Sequence, residues 1–135
     1  MMRLVAIVML ALLTIAQAAE IQRWRGTYGG PAEASAVVAN DAAQWRALFA
    51  KLRAENVPPF DEKRHVGIGL FLGERRTGGY GIRIVSAGPR DGRFVIEAEA
   101  TAPGPGMPVT QAFTQPWLVM LIDRPELPVV VERRF

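Results

Sequence analysis

The stretch Val66-Gly67-Ile68-Gly69-Leu70-Phe71-Leu72 sets Val66, Ile68, Leu70 and Leu72 at every second position, with Gly67, Gly69 and Phe71 between them. A period of two belongs to a β-strand, whose successive side chains face opposite sides. Toward the C-terminus the same period returns. Tyr80, Ile82 and Ile84 alternate with Gly81 and Arg83, and Phe94, Ile96 and Ala98 alternate with Glu97 and Glu99. The connections, Gly73 to Gly79 and Gly88-Pro89-Arg90-Asp91-Gly92, are too short for a parallel crossover, so neighbouring strands are expected to run antiparallel. On this reading the paired glycines Gly78-Gly79 sit in a hairpin turn that needs positive φ. After the break Ala102-Pro103-Gly104-Pro105-Gly106, further strands are expected at Val109 to Phe113, Trp117 to Ile122 and Val129 to Arg134.

Toward the N-terminus the period changes. Trp45, Leu48, Phe49 and Leu52 stand at i, i+3, i+4 and i+7, one stripe of an α-helix. Asp41, with Gln44 three residues on, forms an N-cap and capping-box pattern, and Asn56 followed by Pro58-Pro59 marks the expected stop. Upstream, Ile21 to Tyr28, closed by Gly29-Gly30-Pro31, and Ala34 to Val38 read as two more strands. The fold class expected is therefore α+β: a mostly antiparallel β-sheet, sandwich- or barrel-like, with one amphipathic helix packed on it.

The first residues are set apart from this argument. Arg3 supplies a positive n-region, Leu4 to Ile15 an apolar run, and Ala16-Gln17-Ala18 a small-x-small cleavage pattern. The run is short of the roughly 20 residues that a spanning helix needs. Residues 1–18 are expected to be a cleavable signal peptide and 19–135 a single domain, periplasmic or extracellular, with no stable membrane insertion after cleavage.

Composition narrows the chemistry. The chain of 135 residues has no Cys and one His, and 16 Lys+Arg stand against 13 Asp+Glu. Thiolate zinc sites, iron–sulfur clusters, disulfides and a Cys nucleophile are excluded. The formal charge of +3 is small, and the basic pairs Lys63-Arg64, Arg75-Arg76 and Arg133-Arg134 are dispersed. No nucleic-acid partner is expected, because such proteins concentrate Lys and Arg on one face. Past the signal segment, a serine triad would have to use His65 with Ser35 or Ser86, neither of which lies in a Gly-x-Ser-x-Gly elbow. Glu97 and Glu99 share one strand face, but their alternation with apolar residues reads as the wet side of a sheet. No catalytic set, metal site or cofactor is expected, and the chain is read as non-enzymatic.

One segment, Gly73-Glu74-Arg75-Arg76-Thr77-Gly78-Gly79-Tyr80, carries more than a turn requires. Two cations, a hydroxyl and an aromatic around paired glycines suit contact with a partner's backbone or carboxylates. Arg75, Arg76, Thr77, Gly78, Gly79 and Tyr80 are therefore the expected partner-binding residues, joined by Trp117. In this reading Tyr80 anchors, the arginines pair with acids on the partner, and the glycines let backbones approach. Because Tyr80 is in phase with Ile82 and Ile84, a core position is the competing assignment for it.

The run Val66 to Phe71, then Gly73, then Thr77-Gly78-Gly79-Tyr80 and the Ile82/Ile84 strand resembles the C-terminal domain of the bacterial protease complex-associated polypeptide family, PrcB. The likeness extends to the Trp45 helix, Phe60-Asp61, the Pro-Gly-Pro loop at 103–105 and Thr114-Gln115-Pro116-Trp117, and covers roughly 41–135. Arg75-Arg76 departs from the Lys-Pro or similar pair that the family pattern leads one to expect. The resemblance implies an exported, non-catalytic accessory domain that binds a protein partner, a secreted protease, and supports its stability or activity. A second likeness predicts the opposite effect. Thr77 to Tyr80, Gly104 to Gly106 and Gln115-Pro116-Trp117 follow the order of the loops of chagasin-type cysteine-protease inhibitors, with Gln115 in place of an Arg and no Asn-Pro before the first loop. A third reading takes Trp24, Trp117 and Tyr80 as stacking platforms for a small ligand or carbohydrate.

Overall fold

The computed structural model describes residues 19–135, and the signal-peptide expectation for residues 1–18 lies outside them. The elements are β1 (Glu20–Gly26), β2 (Ser35–Ala39), α1 (Ala42–Ala50), β3 (His65–Phe71), β4 (Gly81–Arg90), β5 (Arg93–Thr101), β6 (Trp117–Asp123) and β7 (Val129–Arg134). They form an antiparallel sheet in the order β1-β6-β3-β2 and a mixed sheet in the order β4-β5-β7. The α+β, mostly β expectation holds, in its sandwich form. Among the described residues no helix is long and apolar enough to cross a membrane.

The alternation of Val66 to Leu72 explains the layering. Val66, Ile68 and Leu70, with Leu118, Met120 and Ile122 of β6 beside them, point to the second sheet and meet Phe94, Ile96 and Ala98 of β5 in one buried cluster. The other face of the same strand carries Gly67, Gly69 and Phe71, and there α1 lies with Trp45, Leu48 and Phe49 buried. A Cβ on Gly67 would stand 2.2 Å from Trp45 Cε3, and one on Gly69 2.8 Å from Leu48 Cδ1. The two glycines are thus the sockets that let the helix approach the sheet. β3 is apolar on both faces because it is the middle of three layers.

Local signals place the helix. Asp41 Oδ1 accepts from the Gln44 N–H at 2.7 Å, and the Gln44 side chain accepts from the Asn40 N–H at 2.7 Å, one residue before the expected capping-box partner. The helix ends at Ala50, well before Asn56, because Arg53 takes a left-handed φ of 54° and the Ala54 N–H turns back to the Phe49 carbonyl. Pro58 has a different task from the expected stop: its carbonyl accepts from Trp45 Nε1 at 2.9 Å, while Phe60 stacks on the indole with ring centroids 5.3 Å apart.

One strand and two turn expectations are corrected. Val109 to Phe113 is not a strand. Pro103, Pro105, Pro108 and Pro116 deny its neighbourhood the amide donors of a ladder, and one isolated bridge, Arg75 to Thr114, is what forms. Gly73 to Gly79 is not a hairpin turn, because β3 and β4 belong to different sheets and the segment crosses between them. The second turn is shorter than expected: β4 runs to Arg90, and Asp91-Gly92, with φ of 51° and 77°, closes the hairpin alone. β5 and β7 pair in parallel. The chain visits the other sheet through β6 between them, so no short parallel crossover arises.

Candidate functional site

Three connections meet at one end of the sandwich: 27–34 after β1, 72–80 after β3, and 102–116 after β5. Backbone pairing ties them. The Arg75 N–H donates to the Thr114 carbonyl and the Thr114 N–H to the Arg75 carbonyl, both at 2.8 Å. Thr114 is wholly buried, and its hydroxyl donates to the Thr77 carbonyl at 2.9 Å. The Gly78 N–H donates to the Thr110 carbonyl at 2.9 Å. Gln115 joins the third loop: its N–H donates to the Thr27 carbonyl, its carbonyl accepts from the Gly30 N–H, and its side chain meets the Gly29 N–H and the Glu74 carboxylate.

This framework reassigns the glycines. Gly78 is buried against the protein's own loop, with Thr110 Cβ 3.3 Å from where its Cβ would be. Gly79, at φ 90°, would place a Cβ 2.8 Å from the Pro103 side chain. Both let the 72–80 and 102–116 loops close on each other, the role expected for a partner's backbone. Thr77 is half-buried and gives its hydroxyl to the Gly78 carbonyl at 3.0 Å. Arg76 stands exposed. Arg75 is half-buried, its guanidinium 5.6 Å from the Tyr80 ring centroid and its Nε buried without a hydrogen-bond partner.

Tyr80 and Trp117, distant in sequence, come together. They wall a cleft of about 250 Å³ with Arg25, Ile82 and Pro116, between the ends of β1 and β4. Tyr80 is half-buried at the mouth of the inter-sheet core, between the two assignments open to it from the sequence. Trp117 is held by its indole N–H, which donates to the Tyr28 carbonyl at 2.9 Å. Gly26 is the small residue this requires, since a Cβ there would lie 2.5 Å from Trp117 Nε1. Trp24 does not join them. It makes edge contacts with Trp45 and Phe49 on the helix side of the sheet, with centroids 5.9 and 5.7 Å apart; Trp117 also packs on that side, but Trp24 does not line the cleft, so the three aromatics do not share one platform. Tyr28, Met107 and Phe113, which the sequence reading did not single out, are 56, 62 and 60% exposed on the same loops.

The groups weighed for chemistry are not brought together. His65 Nδ1 accepts from the Asp61 N–H at 3.1 Å. Ser35 faces Phe71 at the opposite end of β3, and the Ser86 hydroxyl donates to Glu97 at 3.1 Å. Glu97 and Glu99 do share the outer face of the second sheet. Arg83 pairs with Glu99, and Arg90 bridges Glu97 at 2.8 Å and also Glu132. The hydrogen bond from Arg90, and then that from Ser86, hold the Glu97 carboxyl below its ordinary value, opposite to the shift of a general acid. Among the described residues no group of His, Asp and Glu is placed to hold a metal ion.

No curated protein and no solved structure matches the chain. Residues 67–123 match the family model described as PrcB C-terminal. The matched span runs from the third residue of β3 to the end of β6, narrower than the 41–135 of the sequence resemblance, and contains both the 72–80 and the 102–116 loop. By that match the segment carrying the Thr-Gly-Gly-Tyr run and Trp117 is similar to the PrcB C-terminal family.

Proposed function

We propose that the protein is an exported, non-catalytic binding domain that serves as accessory factor to a secreted protease. The observation that carries this reading is the loop end itself. Two exposed or half-exposed cations, Arg75 and Arg76, lie beside Tyr80, Trp117 and the exposed Tyr28, Met107 and Phe113, all mounted on a cross-braced frame. Aromatic, Met and Arg side chains on a rigid support are the composition of a protein interface, and rigidity lowers the entropy lost on binding. The family match supports association with a protease complex as the setting. The export part of the proposal rests on the Arg3, Leu4 to Ile15 and Ala16-Gln17-Ala18 pattern.

Affinity capture from the exported fraction of the host tests it, with the mature domain as bait. A protease is expected to be enriched, and Arg76→Glu together with Phe113→Ala to abolish its capture. Capture of no protease, or capture that both variants leave untouched, overturns the proposal. The inhibitor alternative draws on the juxtaposition of Gly79 with Pro103, which brings the first two of its three loops together. Assay of a papain-type protease with micromolar domain decides it, since an accessory factor leaves that enzyme's rate unchanged.

A further inference from the structure

The two long sides of the sandwich are unlike. On one, β2 and β7 approach and close the gap between the sheets. On the other, β1 and β4 are both terminal strands, and the cleft walled by Tyr80 and Trp117 opens between their ends. β4 is the longest terminal strand, Gly81–Arg90, and it pairs on one side alone. Its far half carries two devices that discourage further pairing, a register break between Ile84 and Ser86 and Pro89. Gly81 to Ile84 carries neither. Its register with β5 is regular, and it leads straight into the cleft, whose lining includes Gly81 and Ile82. Val85, at the break, is an exposed aliphatic residue on this edge.

The electrostatics point the same way. Arg25 lines the cleft and takes part in none of the ion pairs among the described residues, whereas Arg23 beside it is bound to Glu20. No carboxylate lines the cleft. Arg75, stacked on the Tyr80 ring, adds a second cation with no ion pair among the described residues. A row of open backbone donors and acceptors, a slot at its end that offers Tyr80, Ile82 and Leu118 among its lining, and an unneutralised guanidinium beside the slot match an extended peptide that carries an acid.

We propose that an extended acidic segment of a partner protein adds as a strand to β4 along Gly81–Ile84. One apolar side chain of the segment enters the slot between Tyr80 and Trp117, and a neighbouring carboxylate meets Arg25. This inference rests on the protein-binding reading above and gives it a place and a chemistry. In it Arg75 is a positioning residue that holds the Tyr80 ring as the wall of the slot.

The test uses the mature domain and two blocked peptides of about eight residues, long enough to span such an edge. One alternates Val with Asp around a central Leu, and the other carries Lys in place of Asp. The acidic peptide is expected to bind saturably, to shift the tryptophan emission of the parent but not of Trp117→Phe, and to slow amide exchange at Gly81 to Ile84. Arg25→Gln is expected to weaken it roughly tenfold, the loss of one charge-assisted contact. Equal binding of the basic peptide, binding without slowed exchange on β4, or no binding of the acidic peptide overturns the proposal. The two readings separate cleanly. A protease captured from the host with no acidic-peptide binding leaves the accessory role standing and removes the β4 site, and peptide binding without protease capture does the reverse.

Discussion

Thr114 is the residue on which the loop end turns. It is buried, both of its backbone groups are spent on Arg75, and its hydroxyl satisfies the Thr77 carbonyl. Thr114→Val keeps the shape and removes the donor, leaving a carbonyl without its partner, so a loss of about 1–3 kcal/mol is expected in chemical denaturation. The same variant should speed amide exchange at Gly78 and Tyr80 more than in the strands, and a uniform change would show that the clamp is not local. Gly67 sets the second residue-scale limit. Gly67→Ala drives a methyl into the Trp45 ring, backed by Phe49 and Phe60, and is expected to cost about 1–3 kcal/mol or more of stability. An unfolding midpoint equal to the parent's would mean that the indole has room to retreat. Neither role could be read from the chain alone. The period of two gave Gly67 its face, but which face receives a helix is a matter of layers, and Thr114 differs from an exposed threonine only through contacts far away in sequence.

At the scale of elements, what was legible is what local chemistry decides. The stripe of Trp45, Leu48 and Phe49, the Asp41 cap and the alternations of β3, β4 and β5 all form where the pattern puts them. The misjudged elements are those settled by partners. Val109 to Phe113 has the apolar residues of a strand but no strand beside it, and Gly73 to Gly79 has the residues of a hairpin but joins two sheets. The helix end is a third case: its stop is Arg53 in the left-handed region, a conformation that costs a residue with a Cβ about 1–2 kcal/mol. Arg53 is exposed, so no packing is lost on changing it. Arg53→Gly is therefore expected to raise stability by about 0.5–1 kcal/mol, the release of strain being partly offset by the freer unfolded chain. Thermal unfolding checks the sign, and a fall would show that the arginine side chain contributes something its exposure conceals.

At the scale of the whole molecule the polar surface divides by how its charges are paired. The outer face of the second sheet is neutralised within itself, by Arg83 on Glu99 and by Arg90 across Glu97 and Glu132, while Arg75 and Arg76 at the loop end take part in no ion pair among the described residues. The paired acids Glu97 and Glu99, which the sequence places on one face, are thus clasps between β5 and β4, and Arg90 reaches on to Glu132 of β7. This gives a dependence on acid whose sign follows from the groups involved. The hydrogen bonds of Arg90 and Ser86 place the Glu97 carboxyl lower in the folded chain than in the unfolded one. The unfolded state therefore takes up its proton first, and the stabilisation is complete above the ordinary glutamate range. It is lost as the pH falls through the folded value. Arg90, raised by Glu132 and then by Glu97, remains charged throughout, so the carboxylate alone sets the window. Glu97→Gln should lower the unfolding midpoint at neutral pH by a small amount, since the pair is exposed and screened by salt. The gap to the parent should then close as the solution is acidified below the carboxylate range, and should narrow likewise at high salt. A gap that stays constant from neutral to acid would show that Glu97 acts through its packing on β4 rather than through its charge, and that the second sheet is held by its apolar inner face alone.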